Sequence, residues 1–236
     1  MRIEMKRPAI SREFHSRLVR TLSLGSATRL RARQDLHLAR KVWHMSMGVF
    51  IVSVYLSGLP RAGSLLVLGF FFLLFFFLET ARLRNPALNQ LTVRLMGPIM
   101  RSHEMHSMSG TPYYLGSALI CVALFPQPVV VLSLLYLAIG DPVASLFGIL
   151  YGERSLRFKN GKSLIGTAAG VAICTLISLI YLSGTRLDYT HVIWLALIGG
   201  AAGGLAEILP LDVDDNFSIP IVSGLVLWLA FIFLGQ

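Results

Sequence analysis

Charge is scarce in this chain. Only 14% of its 236 residues are Asp, Glu, Lys or Arg, against roughly 25% in a soluble globular domain. That scarcity excludes an ordinary water-facing surface, and with it most soluble enzyme classes. Cysteine is scarce as well. Cys121 and Cys174 lie in apolar runs and match no metal or redox spacing, so they read as buried structural thiols. Long linkers, low-complexity tracts and internal repeats are missing. What remains is one domain, residues 41–236, behind a basic arm, residues 1–40.

Apolar residues are abundant, at 55% of the sequence. They fall in runs at 43–59, 62–79, 111–126, 129–151, 163–183, 190–209 and 217–235, each approaching the ~20 residues that span a bilayer as a helix. The expected fold is therefore an all-α, polytopic membrane bundle of about seven helices. Gly58-Leu59-Pro60, Phe125-Pro126-Gln127-Pro128 and Ser183-Gly184 supply turns between runs. Arg82, Arg84 and Arg94, with Leu83, Leu91 and Leu95, predict a short interfacial helix within 80–110.

The formal charge of +9 is concentrated at one end. In the arm, Ile10, Phe14, Leu18 and Leu22 recur every four residues between arginines, which suits a helix lying on an anionic membrane surface. The arm has no apolar core of a secretory signal, and its Arg-rich, acid-poor character also fits an organelle transit peptide. It lacks the aromatic interleaving of a nucleic-acid binder. Of the 21 Lys and Arg residues, 19 fall in 1–41, in 80–110 or in 152–162, and the other two are Arg61 and Arg186. The positive-inside rule places the arm and those two loops in the cytoplasm. The N-terminus is then cytoplasmic, and the polar groups gather on one face.

Within the fourth run stands Asp141, in "GDPVASLFGILYG". A carboxylate at the centre of a membrane helix costs about 2.5–3.5 kcal/mol on insertion scales, which makes it a functional candidate. Asp141, Ser145, Gly148 and Gly152 share a helical face, so a ligand or metal has room beside the carboxylate. The competing reading is a packing seam of small residues, Gly140, Ala144, Gly148 and Gly152. In "KNGKSLIG", Gly161, Lys162 and Ser163 precede a helix whose amides would bind an anion. This is no Walker A loop, because Leu156 stands where the first glycine is needed. Asp212, Asp214, Asp215 and Asn216 form an oxygen-rich cluster suited to Mg²⁺, and Asn216 equally suits an N-cap. Arg40 and Lys41, with His44 one turn on, can grip a polyphosphate. Glu79 at the end of the second run opposes the helix dipole and calls for a cation or donor partner. Glu104 lies with His103 and His106 in a stretch without zinc-protease spacing, and no nucleophile elbow supports Ser-His-Asp catalysis.

"RKVWH", "GDPVASLFGILYG", "NGKSLIGTAAG" and "DDNFSIP", in that order, resemble the dolichol kinase, phytol kinase and CTP-dependent diacylglycerol kinase family, related to phosphatidate cytidylyltransferases. The likeness runs from Arg40 to Gly224. It implies transfer of the γ-phosphate of CTP to a lipid alcohol (diacylglycerol, a polyprenol or dolichol, or phytol) at the cytoplasmic face, with Mg²⁺. Carried over, Asp141 and Lys162 would be catalytic. Arg40, Lys41, His44, Gly148, Gly152, Gly161, Ser163 and Asn216 would hold nucleotide and phosphate. Asp141, Asp214 and Asp215 would hold the metal, with Glu79 and Glu104 in support. Pro142 stands where many relatives have Thr, and Ile165 where several have an acid. The alternatives are cytidylyl transfer to phosphatidate and, from another class, a transporter or non-catalytic membrane protein. Expected partners are the lipid alcohol, a nucleoside triphosphate and membrane lipids, with no nucleic acid. Gly199, Gly200, Gly203 and Gly204 allow close helix approach within or between chains, which leaves a homo-oligomer open. The host membrane would be the plasma or inner membrane in a bacterium, or the endoplasmic reticulum or an organelle membrane in a eukaryote.

Overall fold

The computed structural model describes residues 37–235. The basic arm expected over 1–40 lies outside the described residues as far as 36. Among the described residues there is no strand, only an isolated antiparallel bridge between Arg157 and Ser163. The helices are α1 (Leu38–Leu56), α2 (Arg61–Arg84), α3 (Pro86–Met96), α4 (Gly110–Leu124), α5 (Gln127–Tyr151), α6 (Leu164–Ser183), α7 (Tyr189–Ala206) and α8 (Asp215–Phe233). An all-helical answer follows from the solvent, since lipid offers backbone amides no partner and a helix satisfies them within itself.

Five helices, α2, α5, α6, α7 and α8, are long and apolar enough to cross a membrane. Seven crossings were expected, and two elements fall short for different reasons. α4 has 15 residues, a length of about 22 Å against a hydrocarbon core of ~30 Å. α1 opens with Arg40, Lys41 and His44, leaving only 45–56 free of polar cost. Of the residues expected to form an interfacial helix, Leu91, Arg94 and Leu95 lie on α3, whereas Arg82, Leu83 and Arg84 end α2. α3 is capped by Asn85, whose side chain accepts from the amides of Ala87 and Leu88.

α5 is the central element. Val129 to Leu132, Tyr136, Leu137 and Ala138 are completely buried, so its apolar run is a protein core rather than a lipid face. α2 is two-sided. Ser64, Leu68, Glu79 and Arg82 face inward, while Leu66, Phe70 and Phe77 are more than 60% exposed. Exposed apolar area on that scale suits lipid and not water. Arg61 fastens the start of α2 to the end of α4, donating to the Val122 carbonyl at 2.7 Å and the Ala123 carbonyl at 2.5 Å. Those carbonyls have no partner inside α4.

The glycines of α7 are consumed within the chain. A Cβ on Gly200 would stand 1.9 Å from Thr175 Oγ1 and 2.7 Å from the Thr175 backbone, and one on Gly204 would stand 2.4 Å from the Val171 nitrogen. Backbone cannot step aside as a flexible side chain can. Gly204→Val is expected to separate α6 from α7 and destabilise the protein by about 1–3 kcal/mol or more, read as a fall in thermal midpoint in detergent.

Candidate active site

The site is built where α5 changes pitch. Pro142 has no N–H to offer the Ala138 carbonyl, and its ring crowds that oxygen. The turn ahead widens into a π segment, Tyr136–Gly140, closed by the Asp141 amide bonding the Tyr136 carbonyl. An α-helical Asp141 amide would have bonded Leu137 instead. The freed Leu137 carbonyl accepts from His44 Nε2 at 3.0 Å. His44 also packs edge-on to Tyr114, with ring centroids 5.1 Å apart. The structure therefore ties His44, expected to contact phosphate, to the backbone just ahead of Asp141.

Asp141 is partly buried. Four cations feel its charge: Arg40, Lys41, Arg101 and Lys162. These come from α1, the loop before α4 and the loop before α6, so only the tertiary fold assembles them.

The first turn of α8 sends three adjacent side chains in three directions. Asp214 caps the helix by accepting from the Asn216 amide at 2.8 Å, and its other oxygen takes Arg101 Nη1 at 2.9 Å. Asp215 takes Lys162 Nζ at 2.9 Å. Asn216 is buried, and its Oδ1 has no partner. The cap of this helix is thus Asp214 rather than Asn216. Among the described residues no group of three or more His, Cys, Asp or Glu side chains is placed to hold a metal ion. The expected set of Asp141, Asp214 and Asp215 is accordingly dispersed, with two of its members already paired to cations.

Lys162 is presented by a tight loop over 156–164. The Leu164 amide bonds the Leu156 carbonyl at 2.8 Å, and the Phe158 amide bonds the Lys162 carbonyl at 2.8 Å. Gly161 closes the turn at φ +84°, a conformation glycine adopts without strain. Lys162 Nζ then lies between Asp215 and Glu207, 3.2 Å from Glu207 Oε2. Burial works against the ammonium, but Asp141, Asp215 and Glu207 outweigh it and hold its pKa above the usual lysine value. Glu207 is only 5% exposed. Burial pushes its carboxyl above the usual range against the pull of Lys162, and it also accepts from Thr167 Oγ1 at 3.1 Å.

Two expectations for this region are corrected. The amides at the start of α6 are not open to an anion. Leu164 bonds the Leu156 carbonyl, Ile165 bonds Ser155 Oγ at 3.1 Å, and Gly166 bonds Ser163 Oγ at 3.1 Å. Ser163 is a buried N-cap, which explains its hydroxyl. Gly148 and Gly152 do not border open space either. A Cβ on Gly152 would stand 2.9 Å from Ser163 Oγ, and one on Gly148 3.2 Å from it. The packing-seam reading of these two glycines is the one the geometry supports.

Glu79 does not end its helix, because α2 continues to Arg84. Its partner is Arg82, one turn on, with contacts of 2.8 and 2.6 Å to the two carboxylate oxygens. Arg82, 3% exposed, also donates to Asn89 Oδ1 and to the Glu104 and Ser107 carbonyls. Glu104 accepts from the Arg101 amide at 2.7 Å and the Gly110 amide at 2.9 Å. Together these residues fix the loop that carries Arg101. Removing one partner of a buried pair costs about 3–5 kcal/mol. Arg82→Ala is expected to lower the thermal midpoint and open residues 97–109 to protease.

A cavity of roughly 670 Å³ runs from this cluster into the apolar part of the fold. Arg40, Lys41, His44, Arg101, Asp141 and Asn216 line its polar end. Phe71 and Phe75 line its body. Lys162 lies outside the cavity, so Asp141 stands between the apolar space and the Lys162 cluster.

Sequence reading passed over Arg101, Arg82 and Glu207. Glu207 had a usable signal, being a lone carboxylate at the end of a glycine-rich apolar helix, much as Asp141 is within its own. The arginines carried no signal beyond charge in a polar loop or at a helix end.

The fold and the site together define a polytopic helical membrane protein with cations gathered about one carboxylate at the mouth of an apolar cavity. Among known proteins, an alignment covering 81% of this chain is 30% identical to CTP-dependent diacylglycerol kinase 1 of Schizosaccharomyces pombe and covers 92% of it. The corresponding kinase of Eremothecium gossypii is 30% identical over 79% of this chain, which spans 64% of that protein's length. The probable chloroplastic phytol kinase of Triticum aestivum is 31% identical over 82% of this chain and 67% of that one. No family model and no solved structure matches the chain. The chain belongs to the family of CTP-dependent diacylglycerol kinases and phytol kinases, which are membrane lipid kinases.

Proposed function

We propose that this protein transfers the γ-phosphate of CTP to the hydroxyl of a lipid alcohol, at the cytoplasmic face of its membrane. One observation carries the reading: Asp141 stands where four cations meet an apolar cavity. A lipid hydroxyl arrives from the apolar side and phosphates from the cationic side. Phosphoryl transfer asks mainly for positioning and charge neutralisation, and this constellation supplies both. The acceptor oxygen bonds the γ-phosphorus, the bond from that phosphorus to the bridging oxygen breaks, and CDP leaves. Asp141 accepts the hydroxyl proton, while Arg40, Lys41, Arg101 and Lys162 neutralise the phosphates. The N-terminal side of α1 and the loops bearing Arg101 and Lys162 then face the cytoplasm, with α1 and α4 completing the seven-helix bundle.

Mg²⁺ fits this donor set. It usually takes one or two carboxylates and fills its shell with phosphate oxygens and water, and Asp141 offers a partly buried carboxylate that lines the cavity. When bound, the ion would supply charge neutralisation on the phosphates. The test uses purified protein in detergent with Mg²⁺, CTP labelled on the γ-phosphate, and diacylglycerol, polyprenol and phytol in turn. Label should appear in an organic-extractable phospholipid, be lost with a chelator, and return with Mg²⁺. Pyrophosphate release upon addition of phosphatidate, without lipid phosphorylation, would sink the kinase reading in favour of cytidylyl transfer.

A further inference from the structure

Among the described residues, the buried side-chain oxygens without a hydrogen-bond partner belong to Ser64, Tyr114 and Asn216. All three residues line the cavity that begins at Asp141. Each is less than 10% exposed, and an unpaired buried polar group costs about 1–3 kcal/mol. Two of them belong to the polar end. Tyr114 feels the Asp141 charge and touches the His44 ring, and Asn216 lies on the first turn of α8. The third, Ser64, lies near the other end of α2.

The cavity follows the inward face of α2 from Glu79 to Ser64. That separation is 15 residues of helix, about 22 Å. Its body is apolar, with Phe50, Val54, Leu68, Phe71 and Phe75 from α1 and α2. Ser64 is a small residue on a face otherwise occupied by Leu and Phe, so it leaves space for a chain terminus.

We infer that the cavity holds a hydrocarbon tail of the acceptor, with its oxygen end beside Asp141, Tyr114 and Asn216 and its terminus at Ser64, about 22 Å away. The orientation of the oxygen end rests on the lipid kinase reading, whereas tail occupancy rests on the cavity itself.

Two measurements test this on the full chain. A single-chain alcohol with a diazirine at its tail end, or a diacylglycerol with one on a single tail, is photolysed with the protein in lipid nanodiscs. Adducts at Leu59, Ser64 or Leu68, which line the cavity, support the assignment. Adducts confined to the outward-facing Leu66 and Phe70 overturn it. In the second, Ser64→Phe should reduce kcat/KM for a twenty-carbon alcohol at least about ten-fold relative to a ten-carbon one, while Leu66→Phe leaves that ratio alone. An unchanged ratio in Ser64→Phe also overturns the assignment. If that variant does not fold, the adduct positions decide. Adducts at Ser64 without any phosphorylation would refute the kinase reading and keep the tail site. Phosphorylation with adducts only on the outward face would do the reverse.

Discussion

Asp141→Asn is expected to abolish turnover while leaving the protein folded. The substitution keeps shape and volume. It removes the charge that Arg40, Lys41, Arg101 and Lys162 share, and with it the base for the acceptor hydroxyl. A positioned acid or base contributes about 10²–10⁴-fold, so kcat should fall by at least that factor. Thermal midpoint and elution in detergent should match the parent. The comparison that decides is kcat against melting behaviour on the same preparation. A fully active Asn variant would remove the carboxylate from the mechanism, and a variant lost to aggregation would show that Asp141 supports the fold.

Lys162→Met should damage both activity and stability, and a second substitution separates the two. Without Lys162, Glu207 keeps only Thr167 as a side-chain partner while remaining buried. Breaking a buried pair in this way costs about 3–5 kcal/mol. Adding Glu207→Gln replaces the stranded charge with a neutral group that Thr167 can still bond. The double variant is expected to recover most of the lost thermal stability and none of the lost turnover. If turnover returned with stability, Lys162 would be a structural residue only. The pH behaviour points the same way. The folded pKa of Lys162 lies above the ordinary lysine value. Its stabilising contribution is therefore complete below that ordinary value and is lost only as pH rises through the raised one. Lys162 should thus stay charged across the neutral range, and any activity loss there must come from another group.

Seen together, the two variants assign different work to the two sides of Asp141. The Lys162 side is fully paired, with Asp215 and Glu207 holding the ammonium in place. The cavity side carries the orphaned oxygens of Tyr114 and Asn216.

Solvent and secondary structure were legible in one dimension. Apolar runs of nearly twenty residues leave the backbone no choice but helix in lipid, and the boundaries of α5, α6 and α8 lie within about two residues of the runs that predict them. The sequence also singled out Asp141 and Lys162, because an isolated charge in or beside an apolar run has a cost that composition alone exposes. Several things were decided only by tertiary structure. The pitch change before Asp141 becomes legible once Pro142, the freed Leu137 carbonyl and His44, 93 positions away, are seen together. Glu79 met its cation one turn along a helix that ran further than its apolar stretch. Gly148 and Gly152 gave their space to Ser163, because a seam of small residues looks the same in sequence whether a helix or a ligand fills it. Asp214, Asp215 and Asn216 are consecutive, yet the first turn of a helix points them at Arg101, at Lys162 and into the cavity. The sign and number of charges can be read from one dimension, but which charge meets which depends on the directions three helices and two loops impose.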